Sequence, residues 1–397
     1  MRRAALCLFA ATLLAAAPAL AAPAAPVPCG GPLPTFLRAF EADAVAQGHS
    51  AASVRGFFRG ARIDPKVLAA DGAQGVFRKT FLQFSSALIS RSRVVGGERN
   101  ARRHAAIFAR AKRDYGVPKG ILLAFWAFET DFGAVQGNFN TRDALVTLAH
   151  DCRRPQVFQP QLMAALTLYE KGEFNPQTTT GAWAGEIGQV QMLPKDILER
   201  GVDGDGDGKV TLKTSVPDAL LSAAHTLQML GWHANQPWMA EVRVPKDLDW
   251  AKTGLNTRLP VRQWAAMGVR ARAGALPGGD LPASILLPQG RKGPAFMVFP
   301  NFEVLFHWNK SFVYVTTVAY FADLMEGAPR LDPGHPDPQL GLAQMQELQR
   351  KLQARGYDVG KIDGILGRKT RTAVQAEQER LHLPADAWPT LALLKRL

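Results

Sequence analysis

The chain has 397 residues, of which 47% are hydrophobic and 20% are charged, and its formal net charge at pH 7 is +13. This length and apolar content predict a globular protein with a sizeable core and two or three folded units. The positive residues are scattered rather than gathered in a run, which argues against nucleic acid as a partner and favours an acidic wall polymer.

The first 21 residues have the pattern of a secretory signal peptide. Two arginines follow Met1, the stretch from Ala4 to Leu20 is almost uninterruptedly apolar, and Ala19–Ala21 is a typical cleavage site. We therefore predict export to the periplasm, and the net charge falls from +13 to +11 because two arginines and no acid are removed. A retained membrane anchor is the alternative. The context of Cys29 does not resemble a lipoprotein signal, so no lipid anchor is expected, and no later stretch is apolar enough to span a bilayer.

Two cysteines, Cys29 and Cys152, remain after the signal peptide and its Cys7 are removed. An even pair in an oxidising compartment predicts a disulfide, which would tie the N-terminus of the mature chain to the middle of the catalytic region. Two unpaired structural thiols are the alternative.

The rest of the chain divides by its apolar pattern and its turn residues. Residues 33–115 have apolar side chains at three- and four-residue spacing, which predicts helices. Residues 241–299 contain short apolar runs between Pro and Gly, which predicts strands, and helices are predicted again over Asn301–Met325. Four prolines and two glycines make residues 327–339 a predicted linker, and a mostly helical module of about 58 residues follows it.

The main candidate for catalysis is Glu129. Pro118 can start a helix, and the apolar run from Ile121 to Phe128 predicts that this helix is buried. A carboxyl at its C-terminal end loses water and faces the negative end of the helix dipole, so its pKa should rise. Such a group suits the general acid of glycosidic cleavage. The alternative is a glutamate at a frayed helix end that points to water.

Several ordered segments resemble the membrane-bound lytic murein transglycosylase B family. They include the sequence Phe128-Glu-Thr-Asp-Phe-Gly133, and the likeness runs from about Phe36 to Met325. The other matching segments are Tyr115–Ile121, Asn140–Arg154, Trp183–Pro194, Val216–Leu220, Gly231–Trp232, Gly293–Phe296, Asn301–Phe302 and Trp308–Ser311. The resemblance implies a mainly α (α+β) catalytic domain over residues 33–326, with helical and small β subdomains around a lysozyme-like core at about 115–235. It also implies that Glu129 is the catalytic acid.

Residues 340–397 resemble a second family, the three-helix peptidoglycan-binding domain. The matching segments are Leu348–Leu352, Gly356–Gly367, Thr370–Val374, Gln378 and Leu383–Asp386. Two residues depart from the family pattern: Glu377 replaces an apolar aromatic residue and Ala387 replaces a glycine, which affects the expected binding strength more than the fold. The alternative is a module that is retained only for structure.

The resemblance implies non-hydrolytic cleavage between N-acetylmuramic acid and N-acetylglucosamine, with Glu129 acting first as acid and then as base to form a 1,6-anhydro ring. No catalytic cofactor is implied, and a monomer is expected. A hydrolytic muramidase and a non-catalytic peptidoglycan-binding scaffold are the alternatives. The substrate-binding residues implied by the resemblance are Gln191, Trp183, Phe132, Trp308, Asn309 and Phe84. Three of them, Phe84, Phe132 and Trp308, replace common tyrosines, and a serine of the family is replaced by Ala182.

Glu186 occupies a position where the resembled family has a small residue. We favour a side chain that points to solvent, as most glutamates do. If it faced the active site instead, it could supply a second carboxylate and tilt the reaction towards hydrolysis.

An acidic, glycine-rich loop from Asp203 to Val210 reproduces the front half of an EF-hand calcium loop. Position 12 of the loop is Thr214 instead of glutamate, and Asp218 could reach back in its place, as in the longer loop of the resembled family. Closely spaced carboxylates repel one another without a cation, so we predict structural Ca²⁺ rather than a solvated turn. The predicted ligands are Asp203, Asp205, Asp207, the carbonyl of Lys209, and Asp218.

Overall fold

The structure is a computed structural model that describes residues 26–72 and 79–397. The predicted signal peptide, residues 1–21, lies outside the described residues. Among those that are described, no helix is both long and apolar enough to cross a membrane.

Helices make up most of the chain up to residue 230, as the apolar spacing predicts. Their bounds are α1 Leu33–Ala46, α2 Ala51–Phe58, α3 Pro65–Gly72, α4 Phe81–Leu88, α5 Arg91–Arg103, α6 Ala105–Tyr115, α7 Lys119–Thr130, α8 Thr141–His150, α9 Pro155–Glu170, α10 Pro194–Arg200 and α11 Val216–Met229. Between them lies a two-stranded antiparallel sheet of β1 (Phe139–Asn140) and β2 (Thr180–Gly181).

Residues 239–325 form the small β subdomain and then return to helix, as predicted. Their elements are β3 Met239–Arg243, a 3₁₀ helix at Trp250–Lys252, β4 Leu259–Pro260, α12 Val261–Ala266, β5 Arg270–Ala271, β6 Pro282–Leu286, β7 Phe296–Val298, α13 Pro300–Trp308 and α14 Phe312–Met325. The five strands are antiparallel in the order β4-β6-β7-β3-β5. The fully buried Trp264 donates its indole N–H to the carbonyl of Ala283 at 2.8 Å and anchors a core separate from that of the helices.

Helix α7 lies at the centre of the main core. It begins after Pro118, and the residues from Gly120 to Ala127 are all buried. Helices α5, α6, α11 and α14 pack around it. A helix that is apolar on every side can be stable only when other elements cover every side. The C-terminal end of α7 therefore lies inside the protein, in agreement with the prediction.

The N-terminal segment is fixed to α8 and α9. Cys29 and Cys152 form a disulfide with a Cα–Cα distance of 5.3 Å, which confirms the predicted pairing. The amide of Val27 donates to the Gln159 side chain at 2.8 Å, and that side chain donates back to the carbonyl of Val27. The disulfide thus adds to a segment that is also held by hydrogen bonds.

The last part of the chain contains three helices, α15 (Leu342–Ala354), α16 (Arg368–Arg380) and α17 (Leu391–Arg396). Glu377, where the family pattern has an aromatic residue, is fully buried and accepts hydrogen bonds from Arg380 and from the hydroxyl of Tyr357 at 3.0 Å. Ala387 has a left-handed φ of 59°, which explains why glycine is usual there. Residues 328–341, which include most of the predicted linker, contain no helix or strand.

Candidate active site

Glu129 is the penultimate residue of α7; the residue is half-buried, and Oε1 of its carboxyl packs against α13 and α14. The indole N–H of Trp308 donates to Oε1 of Glu129 at 3.2 Å, and the Tyr314 hydroxyl donates to the same oxygen in a short hydrogen bond. Both hydrogen bonds therefore go to Oε1, and neither donor contacts Oε2. The prediction that Glu129 is shielded from water is in agreement with this geometry.

The environment of Glu129 favours its protonated form. Burial raises the pKa of Glu129 to about 7, the hydrogen bonds from Tyr314 and Trp308 counter part of this rise, and the charge of Glu186 adds to it. Burial, together with the nearby Glu129, raises the pKa of Tyr314 well above its usual value, so this phenol is a neutral donor. A carboxyl group with a pKa near 7 can both give and take a proton at neutral pH.

Trp308 and Asn309 lie where α13 ends. The ring of Trp308 stacks on Phe125 of α7, with 4.3 Å between the ring centroids, so one of its faces is covered by protein. Oδ1 of Asn309 accepts a hydrogen bond from the amide of Ser311 at 2.8 Å, one turn before Tyr314. Both predicted substrate-binding residues therefore also shape the surroundings of Glu129.

The chain after α7 turns sharply, because Asp131, Phe132 and Gly133 all have left-handed φ angles of 52°, 60° and 86°. Two consecutive non-glycine residues in this region are uncommon. Gln189 supports the turn: its Oε1 accepts from the indole N–H of Trp126 at 3.0 Å and its backbone carbonyl accepts from the Thr130 hydroxyl at 2.5 Å. This turn places the half-buried ring of Phe132 edge-on to Trp126.

Gln191, Trp183 and Phe84 are all half-buried. Nε2 of Gln191 donates to the carbonyl of Gly188 at 2.7 Å, and the residue has a left-handed φ of 53°. Trp183 and Phe84 pack against the main core. The side-chain nitrogen of Gln191 thus helps to shape its own loop, while no hydrogen bond to its Oε1 is present within residues 26–72 and 79–397.

Glu186 does not point freely to solvent, which corrects the orientation favoured from the sequence. Its carboxyl is largely buried, and Oε2 has no hydrogen-bond partner within the described part of the chain. The backbone carbonyl of Glu186 accepts from the amide of Ala182 at 2.9 Å, which closes a tight turn. Most glutamates point to solvent, but the turn that carries Glu186 packs against the rest of the protein and does not project from the surface.

The acidic loop brings together three of the predicted metal ligands. Oxygen atoms of Asp203, Asp205 and Asp218 lie within 4.8 Å of one another, and Asp218 is fully buried. Asp207 is not part of this group, and its Oδ1 accepts from the amide of Lys209 at 2.9 Å. Backbone hydrogen bonds, the first of them from Gly208, lower the pKa of Asp203.

Two positioning residues escaped the sequence analysis, Tyr314 and Gln189. A tyrosine inside a helix as apolar as α14 needs a partner for its hydroxyl, and this signal was available. Nothing in the local sequence tells which acceptor a hydroxyl 185 residues away from Glu129 will meet.

Two family descriptions match the chain. Residues 33–323 match the transglycosylase SLT domain, and residues 342–397 match the peptidoglycan binding domain. Both resemblances drawn from the sequence are thereby confirmed.

Three individual proteins illustrate the likeness. Membrane-bound lytic murein transglycosylase B of Escherichia coli (strain K12) is 30% identical over 213 residues, which cover 53% of this chain and 57% of that protein. The chain therefore spans little more than half the length of this curated relative. SltB3 from Pseudomonas aeruginosa, solved in complex with NAG-anhNAM-pentapeptide, is 38% identical with a TM-score of 0.84, over 92% of this chain and 99% of the other.

The third structure is Escherichia coli lytic transglycosylase Slt35 in complex with calcium. It is 24% identical with a TM-score of 0.63, over 76% of this chain and 96% of the other. At this identity the likeness is one of fold. Together with SltB3 it confirms the predicted fold class, a mainly helical lysozyme-like core followed by a small helical module.

Proposed function

Because the chain belongs to the family of the transglycosylase SLT domain, we propose that it is a lytic transglycosylase that cleaves the glycan strands of peptidoglycan. The observation that carries this proposal is the carboxyl of Glu129, whose pKa burial raises to about 7, so that near neutral pH a large fraction of it is protonated. The relative SltB3 was solved with NAG-anhNAM-pentapeptide, a fragment that contains an anhydro sugar.

In the proposed reaction, Glu129 gives its proton to the oxygen between N-acetylmuramic acid and N-acetylglucosamine as the bond from C1 to that oxygen breaks. The resulting carboxylate then takes the proton of the C6 hydroxyl of the same muramic acid, and O6 bonds to C1. The product carries a 1,6-anhydro ring, Glu129 regains its proton, and no water is consumed. The internal hydroxyl competes well with water because it is already held near C1.

Tyr314 and Trp308 suit this sequence of proton transfers. An indole N–H can only donate, so Oε1 of Glu129 accepts; with two donors on Oε1, the placement of the acidic proton on Oε2 is favoured. After the proton leaves, both donors stabilise the carboxylate on Oε1 while Oε2 is free to take the C6 proton. The two residues would thus direct one oxygen of Glu129 towards the substrate.

The six residues implied by the family likeness remain our candidates for substrate binding. The side-chain oxygen of Gln191, to which no residue in the described part of the chain donates, can accept from an N-acetyl N–H, and the exposed parts of the aromatic rings can pack against sugar. These candidates are Gln191, Trp183, Phe132, Trp308, Asn309 and Phe84.

A hydrolytic muramidase remains the second candidate, since Glu186 is a buried carboxyl whose charge acts on Glu129. Mass spectrometry of digested sacculi separates the two: anhydro ends support the transglycosylase, and reducing ends support the hydrolase.

We further propose a role for each segment of the chain. A signal peptide (1–21) directs export to the periplasm, the catalytic domain spans 33–326, a linker covers 327–339, and the module 340–397 holds peptidoglycan. The match of residues 342–397 to a peptidoglycan binding domain supports the last assignment.

Replacing Glu129 with Gln tests the catalytic assignment. The amide keeps the size of the side chain and its hydrogen-bonding capacity but cannot give up a proton, so we expect lysis of sacculi to fall by about 10³-fold or more. Binding to sacculi should be unchanged, because the C-terminal module does not involve Glu129. Lysis by the variant at a rate near that of the wild type would refute the assignment, and Glu199→Gln, an exposed glutamate of α10, is the matched control.

We also propose that the acidic loop holds structural Ca²⁺. Oxygen ligands are those that calcium prefers, and the three clustered carboxylates of Asp203, Asp205 and Asp218 provide them. The carbonyl of Lys209 and the carboxyl of Asp207 remain candidates to complete the site. The ion would hold the loop against α11 and take no part in the reaction.

Chelation tests the calcium site. At a hundredfold excess of Ca²⁺ over Kd, binding should raise the Tm by about 3 °C, and EGTA should reverse the increase. Asp205→Asn should abolish the difference by removing one ligand, whereas Asp249→Asn, an acid outside the loop, should retain it. Equal Tm values of the wild type with Ca²⁺ and with EGTA, together with no Ca²⁺ bound in calorimetry, would contradict the site.

A further inference from the structure

Helices α5 and α6 carry a large share of the positive charge of the protein. Residues 91–115 contain eight Lys and Arg residues and two acids, so their formal net charge is +6, compared with +13 for all 397 residues. The arginines of α5 do not form a run in the sequence, but a helix brings residues three or four positions apart onto one face. This concentration of charge has no role in the reaction proposed above.

Four exposed arginines of α5 have no partner within the protein. They are Arg91, Arg99, Arg102 and Arg103, and together they are called the α5 arginine face. Their guanidinium groups form no ion pair or hydrogen bond with residues 26–72 and 79–397. Residues 1–25 and 73–78 contain no Asp or Glu. The charge of this face is therefore not neutralised by any acid of the chain.

The opposite side of α5 packs against the candidate active site. A Cβ on Gly96 would lie 2.9 Å from the ring of Phe132, so the helix backbone is in close contact with that ring. On the same side, Arg93 pairs with Asp131 at 3.2 Å, in the turn that follows α7. A glycine inside a helix normally lowers its stability, and the close approach to Phe132 explains why one is present. Helix α5 is thus held next to a candidate substrate-binding residue.

Two of the four arginines follow Gly96 on the side of the helix that faces this ring. Arg99 is three residues and Arg103 seven residues after Gly96, and these spacings are close to one and two turns of a helix. The α5 arginine face therefore begins beside the contact between Gly96 and Phe132. A glycan strand that contacts the ring of Phe132 would meet Arg99 and Arg103 next.

We propose that the α5 arginine face binds the carboxylates of the stem peptides of peptidoglycan, with Arg99 and Arg103 nearest to the cleavage site. This inference deepens the lytic transglycosylase function proposed above and rests on it. Arg99 and Arg103 are four residues apart, so their charges repel each other on the helix surface. A carboxylate bound between them would remove this repulsion, and a guanidinium can donate two parallel hydrogen bonds to a carboxylate.

An anionic lipid surface fits this face less well. Helix α5 is described throughout, and Val95, which is 52% exposed, is its one large apolar side chain on the surface. A helix that binds in a membrane interface presents a broad apolar face alongside its cations. The contact between Gly96 and Phe132 also connects α5 with the candidate substrate site. Carboxylates of the substrate therefore account for both the charge and the position of the face.

The test compares the double variant Arg99→Gln/Arg103→Gln with the wild type on two soluble substrates. One is uncrosslinked glycan strands with intact stem peptides, and the other is the same strands after their carboxylates are converted to amides. At low ionic strength, kcat/KM for release of anhydro products from the intact strands should fall about fivefold, through a higher KM. The variant and the wild type should be equal on the amidated strands. The difference should also vanish at about 1 M salt, where the Debye length is about 3 Å.

The matched control is Arg55→Gln/Arg59→Gln. These two exposed arginines at the end of α2 have the same spacing and lose the same charge, and they should leave both rates unchanged. An unchanged rate of the α5 variant on intact strands, or an equal loss on both substrates, would overturn the proposal. Vesicles of equal parts phosphatidylglycerol and phosphatidylcholine test the lipid. If they bind the wild type but not the α5 variant, while both cleave intact strands equally, the face binds lipid and the proposal is wrong.

A binding measurement in a Glu129→Gln background does not depend on activity. Fluorescence anisotropy of labelled intact strands should give a Kd about fivefold higher when Arg99→Gln and Arg103→Gln are added, and an unchanged Kd for amidated strands. Equal Kd values for the intact strands would contradict the proposal. If the wild type releases no anhydro products, the proposed function fails, while this measurement still tests the α5 arginine face.

Discussion

At the scale of single residues, Glu129 is governed by opposing influences on its pKa. Burial raises this pKa, and hydrogen bonds from Tyr314 and Trp308 hold the rise back. Because the pKa of this carboxyl is higher in the folded protein than in the unfolded chain, the free energy of unfolding decreases as the pH rises from 4.5, the unfolded pKa, to about 7. Above that pH the effect of Glu129 on the free energy of unfolding no longer changes. The protein thus accepts a stability cost at neutral pH and keeps a proton on Glu129, where the proposed reaction would use it.

Tyr314→Phe tests the role of the hydroxyl that donates to Glu129. Removing the hydroxyl withdraws a hydrogen bond that favours the ionised form, so the pKa of Glu129 should rise and the alkaline decline in rate should begin at higher pH. The rate at its optimum should fall about tenfold, because the carboxyl is less well oriented. The pH profile of anhydro-product release measures both effects. Tyr357→Phe, in the C-terminal module, is the matched control, and a decline that moves to lower pH would contradict the role given to Tyr314.

At the scale of elements, α7 depends on the segments that hold its C-terminal end. The turn after the helix contains two left-handed non-glycine residues, and Gln189 supports it from the loop after β2. The disulfide holds a different edge, joining the N-terminal segment to the chain just after α8. None of the hydrogen bonds to the Glu129 carboxyl comes from this edge, so stability and the proposed catalysis can be tested separately.

Replacing both Cys29 and Cys152 with Ser should destabilise the fold without changing the reaction. The bond closes a loop with a sequence separation of 123 residues, for which chain entropy predicts a loss of about 4–5 kcal/mol as an upper value. Denaturant unfolding measures the change, and reduction of the wild type should reproduce it. The pH profile of anhydro-product release should keep its shape, and an altered profile would contradict the separation of roles.

At the scale of the whole molecule, the C-terminal module is bound to the catalytic domain through Arg371. This fully buried guanidinium donates to the carbonyl of Pro288 at 2.6 Å and lies over the ring of Phe312, 4.5 Å from its centroid. Burial lowers the pKa of Arg371 to about 10, so it stays charged at neutral pH. Gln375, one turn further along α16, donates to the carbonyl of Thr253 at 2.9 Å. The module is thus docked on the catalytic domain by specific contacts, in addition to being joined to it by the linker.

Arg371→Ala should weaken the docking of the module on the catalytic domain. The change leaves the carbonyls of Leu287 and Pro288 and the ring of Phe312 without their cation, which should cost about 2–4 kcal/mol of docking free energy. We expect faster proteolysis within residues 327–339 and a larger radius of gyration in solution scattering. Arg350→Ala, an exposed arginine of α15, should leave both unchanged, and a linker that stays equally protected in Arg371→Ala would contradict the docking.

Much of the site was predictable because its causes are local. The apolar run of α7 must be buried, and a carboxyl at the end of such a run must lose water. The pairing of Cys29 with Cys152 followed from the count of cysteines, and the acidic loop followed from its spacing, with Asp218 reaching back onto it through the amide of Gly204.

What the sequence by itself determined, therefore, is which carboxyl lies at the end of a buried apolar helix and which segments become helix or strand. Only the tertiary structure decided which side chains surround that carboxyl. Trp308 and Tyr314 reach Glu129 across 179 and 185 residues, and Gln189 reaches Trp126 across 63 residues. Secondary structure and burial follow from the periodicity of neighbouring residues, whereas the partner of a polar group depends on which distant segments the folded core brings together.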